Sequence, residues 1–434
     1  MAGRGDAPAW NDDGALELAR ELAASPPPED PVPVQEAIAR IDRAAAMGFD
    51  NAGPGFLAYI PGGGVYTAAL AELISCVTNR FPSMAAPAPA FAAIEVGLLR
   101  WLCREFGLPD GALGIFTTGG SMANFSALVA ARHARLSEDL RDATLYVSDQ
   151  AHHSTAKAAR LAGLPARAVR VVPTDGGLRM DVAALRAMLD ADPRPFYVVA
   201  SAGTTSTGAV DPLPEIADAA AAAGAWFHVD AAYGGFFGLT ARGRERFAGI
   251  ERADSITLDP HKGLFMPYGN GVLLVRDFAA LGAAHSVDAG YLQDLAGEHA
   301  GIPDFSAYSP ELSRGFRGLR VWLPLHVHGV RAFRAALDEK LDLALRLHDG
   351  LAADDRLEIV PGPPELSIVG WRLRDGDDAA NRALQDAVNA SRRVLLSSAV
   401  VDGRFTLRAC ILSFRTHADR IDELISLVRA AARA

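Results

Sequence analysis

The chain has 434 residues, 50% of them hydrophobic and 22% charged, with 26 Pro and 41 Gly. That balance excludes wholesale disorder and collagen-like repetition, and the length implies roughly two or three domains. A net charge of −10 argues against non-specific nucleic acid or anionic membrane binding, so neither is expected as a partner.

Cys76, Cys103 and Cys410 are few, far apart and set in apolar runs. They form neither a disulfide framework nor a zinc spacing, and read as buried thiols of a reducing compartment. The opening residues lack the basic-then-apolar pattern of a signal peptide, and no apolar run is long enough to span a membrane. A cytoplasmic location is expected.

In chain order, residues 1–65 read as an N-terminal helical arm. Ala15–Ala24 and Val34–Met47 are each amphipathic, and the cluster Pro26-Pro27-Pro28 breaks any helix between them. From 66 to 318 the pattern alternates. Helical stretches Ala123–Leu136, Ser154–Leu161, Val182–Leu189 and Leu213–Ala223 lie among short apolar runs. Those runs are Thr144–Val147, Ala168–Val172, Tyr197–Ser201, Trp226–Val229, Ser255–Leu258 and Gly271–Val275. Strands apolar on both faces, each after a helix, predict an α/β domain with a large, mostly parallel sheet. Residues 319–434 read as a smaller α+β domain. It has a long helix over Arg331–Leu351, strands at Leu366–Trp371 and Phe405–Ala409, and a closing helix over Ile421–Ala432.

Ligands of parallel sheets bind beyond the carboxyl ends of the strands, and four such ends carry unusual groups. Gly119-Gly120-Ser121 opens a helix, where free N–H groups and the helix dipole favour an anion such as phosphate. A tight turn with a serine cap fits the same residues. His152 lies between a strand and a helix, either as a stacking or acid–base group or as an ordinary surface histidine. Asp230 ends an apolar strand, where a carboxylate is costly unless it meets a cation. A helix cap is the plainer alternative, and no metal centre is expected because no companion ligands accompany it. Lys262 follows one βα unit later, between His261 and Gly263, placed to act as a nucleophilic amine rather than a solvated charge.

Together these groups match what pyridoxal 5′-phosphate requires. Lys262 supplies an amine for its aldehyde and Asp230 a carboxylate for its ring nitrogen. Gly119, Gly120 and Ser121 supply an anion site, and His152 a flat face to stack on the ring. The Gly-rich turn of nicotinamide enzymes and the P-loop are both absent.

The motifs His228-Val229-Asp230-Ala231-Ala232-Tyr233 and Asp259-Pro260-His261-Lys262, in this order and at this separation, resemble those of the pyridoxal-phosphate-dependent group II amino-acid decarboxylases, whose best-known members act on aromatic amino acids. The resemblance runs from about Phe56 to Trp322. It implies the fold-type-I architecture and a homodimer with active sites near the subunit boundary. It also implies conversion of an L-amino acid, aromatic or apolar, to its amine and carbon dioxide.

By the same resemblance Lys262, His152 and Tyr291 are catalytic. Asp230, Ala232, Gly120, Ser121, Thr205, Asp259 and His261 join Lys262 and His152 around the cofactor. Tyr291 lies in the long polar stretch His285–Phe305, read as a flap, and matches a tyrosine that reprotonates the substrate carbon. Tyr59 and Phe81 are candidate apolar walls for the substrate. Three departures bear on the substrate: Gly263 stands where many members carry Trp, Met122 stands for a frequent Glu, and Gly62-Gly63-Gly64 falls in a pocket-shaping region. Other fold-type-I enzymes remain as alternatives: an aminotransferase, a cysteine desulfurase-like enzyme or an aldehyde synthase.

Overall fold

The computed structural model describes residues 7–136, 138–286 and 301–433. The chain divides into two compact units. One comprises residues 1–61, 346–360 and 369–434, the other 62–345 and 361–368. The division therefore falls at 345/346, inside the helix Val330–Ala352, whereas the sequence pattern placed a boundary at 318/319.

In the first unit, strands β1 (Trp10–Asn11) and β2 (Gly48–Phe49) pair antiparallel. They frame the helices Ala15–Ala23 and Val34–Ala45. The arm is tied to C-terminal residues of the same unit. Trp10 Nε1 donates to the Asn389 carbonyl at 3.0 Å, and Leu57 N donates to the Leu395 carbonyl at 3.0 Å. These long-range ties are why residues before 61 belong with the C-terminal part.

The second unit holds a seven-stranded sheet: β3 (Leu113–Thr117), β4 (Ala143–Ser148), β5 (Val169–Val172), β6 (Arg194–Ser201), β7 (Trp226–Asp230), β8 (Ser255–Leu258) and β9 (Gly271–Val275). Its order is β3-β9-β8-β7-β6-β4-β5. Pairs among β4 to β8 are parallel, and β9 runs antiparallel between β8 and β3. Every residue of β3, β4, β8 and β9 is buried, which fits their lack of any charged residue. Helices are started by local signals. Asp181 accepts from the backbone N–H of Ala183 and Ala184, and Asp277 from that of Ala279, capping Val182–Ala191 and Phe278–His285.

The remaining strands, β10 (Leu357–Val360), β11 (Ile368–Leu373), β12 (Ser397–Val401) and β13 (Arg404–Cys410), form a four-stranded sheet in the order β10-β11-β13-β12. It is flanked by helices Asp378–Asn389 and Ala418–Ala431. Among the described residues no helix is long and apolar enough to cross a membrane.

Candidate active site

The polar strand ends singled out above converge on one cavity of about 270 Å³ within the larger unit. Gly119, Gly120 and Ser121 line it from the turn after β3, and His152 from the turn after β4. Thr205 lines it from the segment after β6, Asp230 and Ala232 from the end of β7, and Asp259, His261 and Lys262 from the turn after β8.

The turn after β8 is a four-residue helix, Pro260–Gly263, leading back into β9. It points Lys262 at Asp259, with Nζ 3.0 Å from Oδ2. His261 Nδ1 donates to the Asn270 carbonyl at 2.6 Å, and its Nε2 is 3.7 Å from the same Asp259 oxygen. Burial holds the His261 ring below the usual imidazole range, against the pull of Asp259. Phe265 closes this turn at φ 60°, a left-handed conformation costly for a bulky residue. Its carbonyl accepts from Val65 N at 3.0 Å.

Asp230 is held on both oxygens. Asn124 Nδ2 donates to Oδ2 at 2.8 Å, and the backbone N–H of Ala232 donates to Oδ1 at 3.1 Å. His152 stands beside His153, ring centroids 4.1 Å apart. Burial holds His152 below the usual imidazole range; Asp230 pulls it up, and His153 and Lys262 push it further down. Behind the site His228 is fully buried and held down to about 4 by desolvation. Tyr197 stacks on it at 5.6 Å.

The residues fit a pyridine aldehyde bearing a phosphate. The first N–H groups of the helix Gly120–Arg135 have no partner inside the helix and offer an anion site. A side chain at Gly120 would fill it, since its Cβ would lie 3.0 Å from Asp259 Oδ2 and 3.1 Å from Ala232 Cβ. Asp259 Oδ1 is buried with no hydrogen-bond partner among the described residues, the mark of a site completed by a further group. The donor set therefore suits the group: an amine, a held carboxylate, a flat ring and an anion cradle.

Tyr59 and Phe81 lie on the chain before β3. Tyr59 belongs to the smaller unit. It is 59% exposed at φ 52°, and its backbone N–H donates to Ser397 Oγ at 2.9 Å. Phe81 is half-buried beyond the helix Tyr66–Thr78. Neither is among the residues lining the cavity. Tyr291 lies in 287–300, outside the described residues. Of the stretch read as a flap, His285 ends the helix Phe278–His285 and Phe305 begins a short 3₁₀ turn. The space beside Gly263 is filled by Phe236, whose Cβ would lie 2.6 Å from a Cβ at 263. The missing bulky residue thus reflects a different neighbour and opens no room.

Asn124 and Ser154 line the cavity and were not singled out from sequence. Asn124 stands at the end of the Gly-Gly-Ser segment, one turn into its helix. A polar residue placed there is the only signal that pointed to it.

Residues 18–374 match the model of the pyridoxal-dependent decarboxylase conserved domain. The chain is 35% identical over 390 residues to an aromatic-L-amino-acid decarboxylase of Bacillus atrophaeus, covering 87% of this chain and 81% of that protein. The crystal structure of Oryza sativa TDC with PLP and tryptamine superposes with a TM-score of 0.93 at 30% identity, over 99% of this chain and 94% of that one. That of Catharanthus roseus tryptophan decarboxylase in complex with L-tryptophan gives 0.90 at 27%, over 98% and 93%. The chain belongs to the pyridoxal-dependent decarboxylase family, with its fold-type-I architecture, and is a pyridoxal-phosphate-dependent amino-acid decarboxylase.

Proposed function

We propose that this decarboxylase acts on an aromatic L-amino acid, with the residues of the cavity in the following roles. The observation that carries the assignment is the convergence of Lys262, Asp230, His152 and the Gly120–Ser121 turn on one cavity. Pyridoxal phosphate, when bound, supplies an aldehyde that condenses with amines and a ring that accepts the electron pair left behind by carbon dioxide.

Lys262 would hold the group through its side-chain amine. Asp259, at 3.0 Å, orients the lysine head. Asp230 keeps the ring nitrogen protonated, and its charge acts more strongly in a desolvated site. Gly120 N–H, Ser121 N–H and the Ser121 hydroxyl hold the phosphate at the helix start. Thr205, Ala232, His261 and His152 line the cavity that would hold the ring. Tyr291, assisted by His152, delivers a proton to the substrate carbon after carbon dioxide leaves.

The relatives' names support an aromatic substrate. Tyr59 and Phe81 are its candidate walls. Support for a homodimer comes from unpartnered apolar surface. The helix Val34–Ala45 buries none of its residues, and the helix Tyr66–Thr78 exposes Leu73 and Val77. A second copy covering the latter face would bring Phe81, just beyond that helix, to the subunit boundary. Thiols at the exposed Cys76 and the buried Cys103 suit a reducing cytoplasm.

The test is a panel of L-amino acids scored for both amine and carbon dioxide. Stoichiometric release from an aromatic member supports the reading, and a keto acid or aldehyde product overturns it. Lys262→Ala should abolish turnover and the visible absorption of lysine-bound cofactor. Tyr291→Phe should retain the cofactor but slow protonation or alter the product.

A further inference from the structure

The hydrogen bonds behind the cavity run in one direction only. Trp226 Nε1 donates to Ser255 Oγ at 2.8 Å, and an indole N–H has no acceptor capacity. Ser255 Oγ lies 2.8 Å from His228 Nδ1, and His228 Nε2 lies 3.0 Å from Asn124 Oδ1. The Asn124 amide nitrogen reaches Asp230 Oδ2 at 2.8 Å and Ser154 Oγ at 2.9 Å. A carboxylate only accepts, so Asn124 must turn its NH₂ toward Asp230 and its carbonyl oxygen toward His228. His228 therefore carries its proton on Nε2, and its Nδ1 accepts from the Ser255 hydroxyl.

The other branch ends at His152. Ser154 Oγ, accepting from Asn124, lies 2.8 Å from His152 Nδ1. The Ser154 backbone N–H also donates to Nδ1, at 3.3 Å. A backbone N–H cannot accept, so Nδ1 is the bare nitrogen and the hydroxyl proton of Ser154 points to it as well.

We propose that Asn124 and Ser154 are positioning residues that set the tautomer of His152, holding its ring neutral with the proton on Nε2, so that it meets the substrate as a hydrogen-bond donor. This rests on His152 being a site residue as assigned above. Protonating Nδ1 would force the Ser154 hydroxyl to accept from both neighbours and would leave the Ser154 N–H without its acceptor. The charged and titratable groups facing His152 act in opposed pairs. Asp230 and Asp259 favour its cation, while Lys262 and His153 oppose it; burial, the largest influence, also opposes it. The direction of the hydrogen bonds adds to burial. One amide thus fixes both the carboxylate assigned to the ring nitrogen and the imidazole assigned to the ring face.

The experiment is ¹⁵N NMR of histidine-labelled holoenzyme, with the His152 signals identified by their loss in His152→Gln. Wild-type His152 should show a bare Nδ1 and a protonated Nε2 across about pH 6 to 8. Ser154→Ala removes one of the two donors to Nδ1 and should raise the His152 titration midpoint by about one pH unit. Ser154→Thr, which keeps the hydroxyl, should return it to the wild-type position. A proton on Nδ1 in the wild type, or an unmoved midpoint in Ser154→Ala, overturns the proposal. The wild-type spectrum decides the tautomer even if a variant fails to fold. The readout is independent of product, so a negative amino-acid panel and a wrong tautomer are separate results.

Discussion

Glu95 and Arg314 form an ion pair with side-chain exposures of 0% and 1%. Both carboxylate oxygens accept from the guanidinium, and Oε1 also accepts from Gly318 N at 3.1 Å. Arg314 further lies over the Phe305 ring at 4.9 Å. The pair joins the helix Pro89–Glu105 to the chain leading into the helix Arg317–His328. Removing either partner strands a charge away from water, at a cost of about 3–5 kcal/mol. Replacing both with apolar residues of similar volume removes the stranded charge as well, and such exchanges are often neutral or better. Arg314→Met and Glu95→Leu should each lose about 3–5 kcal/mol, and the double variant should recover most of that. The assay is urea unfolding of all four proteins at one saturating cofactor concentration. If the double variant loses the sum of the single losses, the pair is not a closed electrostatic unit and the reasoning fails.

Gly263→Ala should destabilise by about 1–3 kcal/mol through overpacking, because the new Cβ would meet Phe236 at 2.6 Å; an unchanged thermal midpoint would show that Phe236 yields freely. His228 should make the fold acid-sensitive. Its folded-state pKa of about 4 lies below the ordinary 6.5, so only the unfolded chain takes up the proton between those values. The stability is complete above about pH 6.5 and falls by up to about 3 kcal/mol as the pH drops to about 4. His228→Gln should be less stable at neutral pH yet lose less on acidification, and an equal acid loss in both proteins would exclude His228 as the cause.

Much of the larger unit was legible because its strands are buried on both faces. A run such as β9, Gly-Val-Leu-Leu-Val with every residue buried, has no other reading than a core segment. The edge strand β12 was missed for the opposite reason. Ser397–Val401 alternates between buried and exposed positions and opens on two serines, so it offers no long apolar run. The ends of β7 and β8 were readable because charged residues stood where apolar ones were due. Asn124 was not: an amide inside a helix looks ordinary, and its partners Asp230 and His228 lie over a hundred residues away in sequence. Tyr59 and Phe81 were chosen for their aromatic character, which specifies apolar contact without specifying what is contacted.

The position of β3 has a consequence for how the enzyme is made. The strand that presents the glycine turn is hydrogen-bonded to β9, in register from Leu113 with Val275 to Thr117 with Gly271, with β4 to β8 translated in between. Pairing strands so far apart in sequence is a non-local contact, of the kind that slows the assembly of a sheet. On the ribosome, the anion cradle and the lysine cannot face each other until β9 has emerged and inserted. A nascent chain has nothing complete with which to capture the vitamin derivative before that moment, so loading follows sheet closure, and supplying the cofactor early in synthesis would not guide the earlier steps.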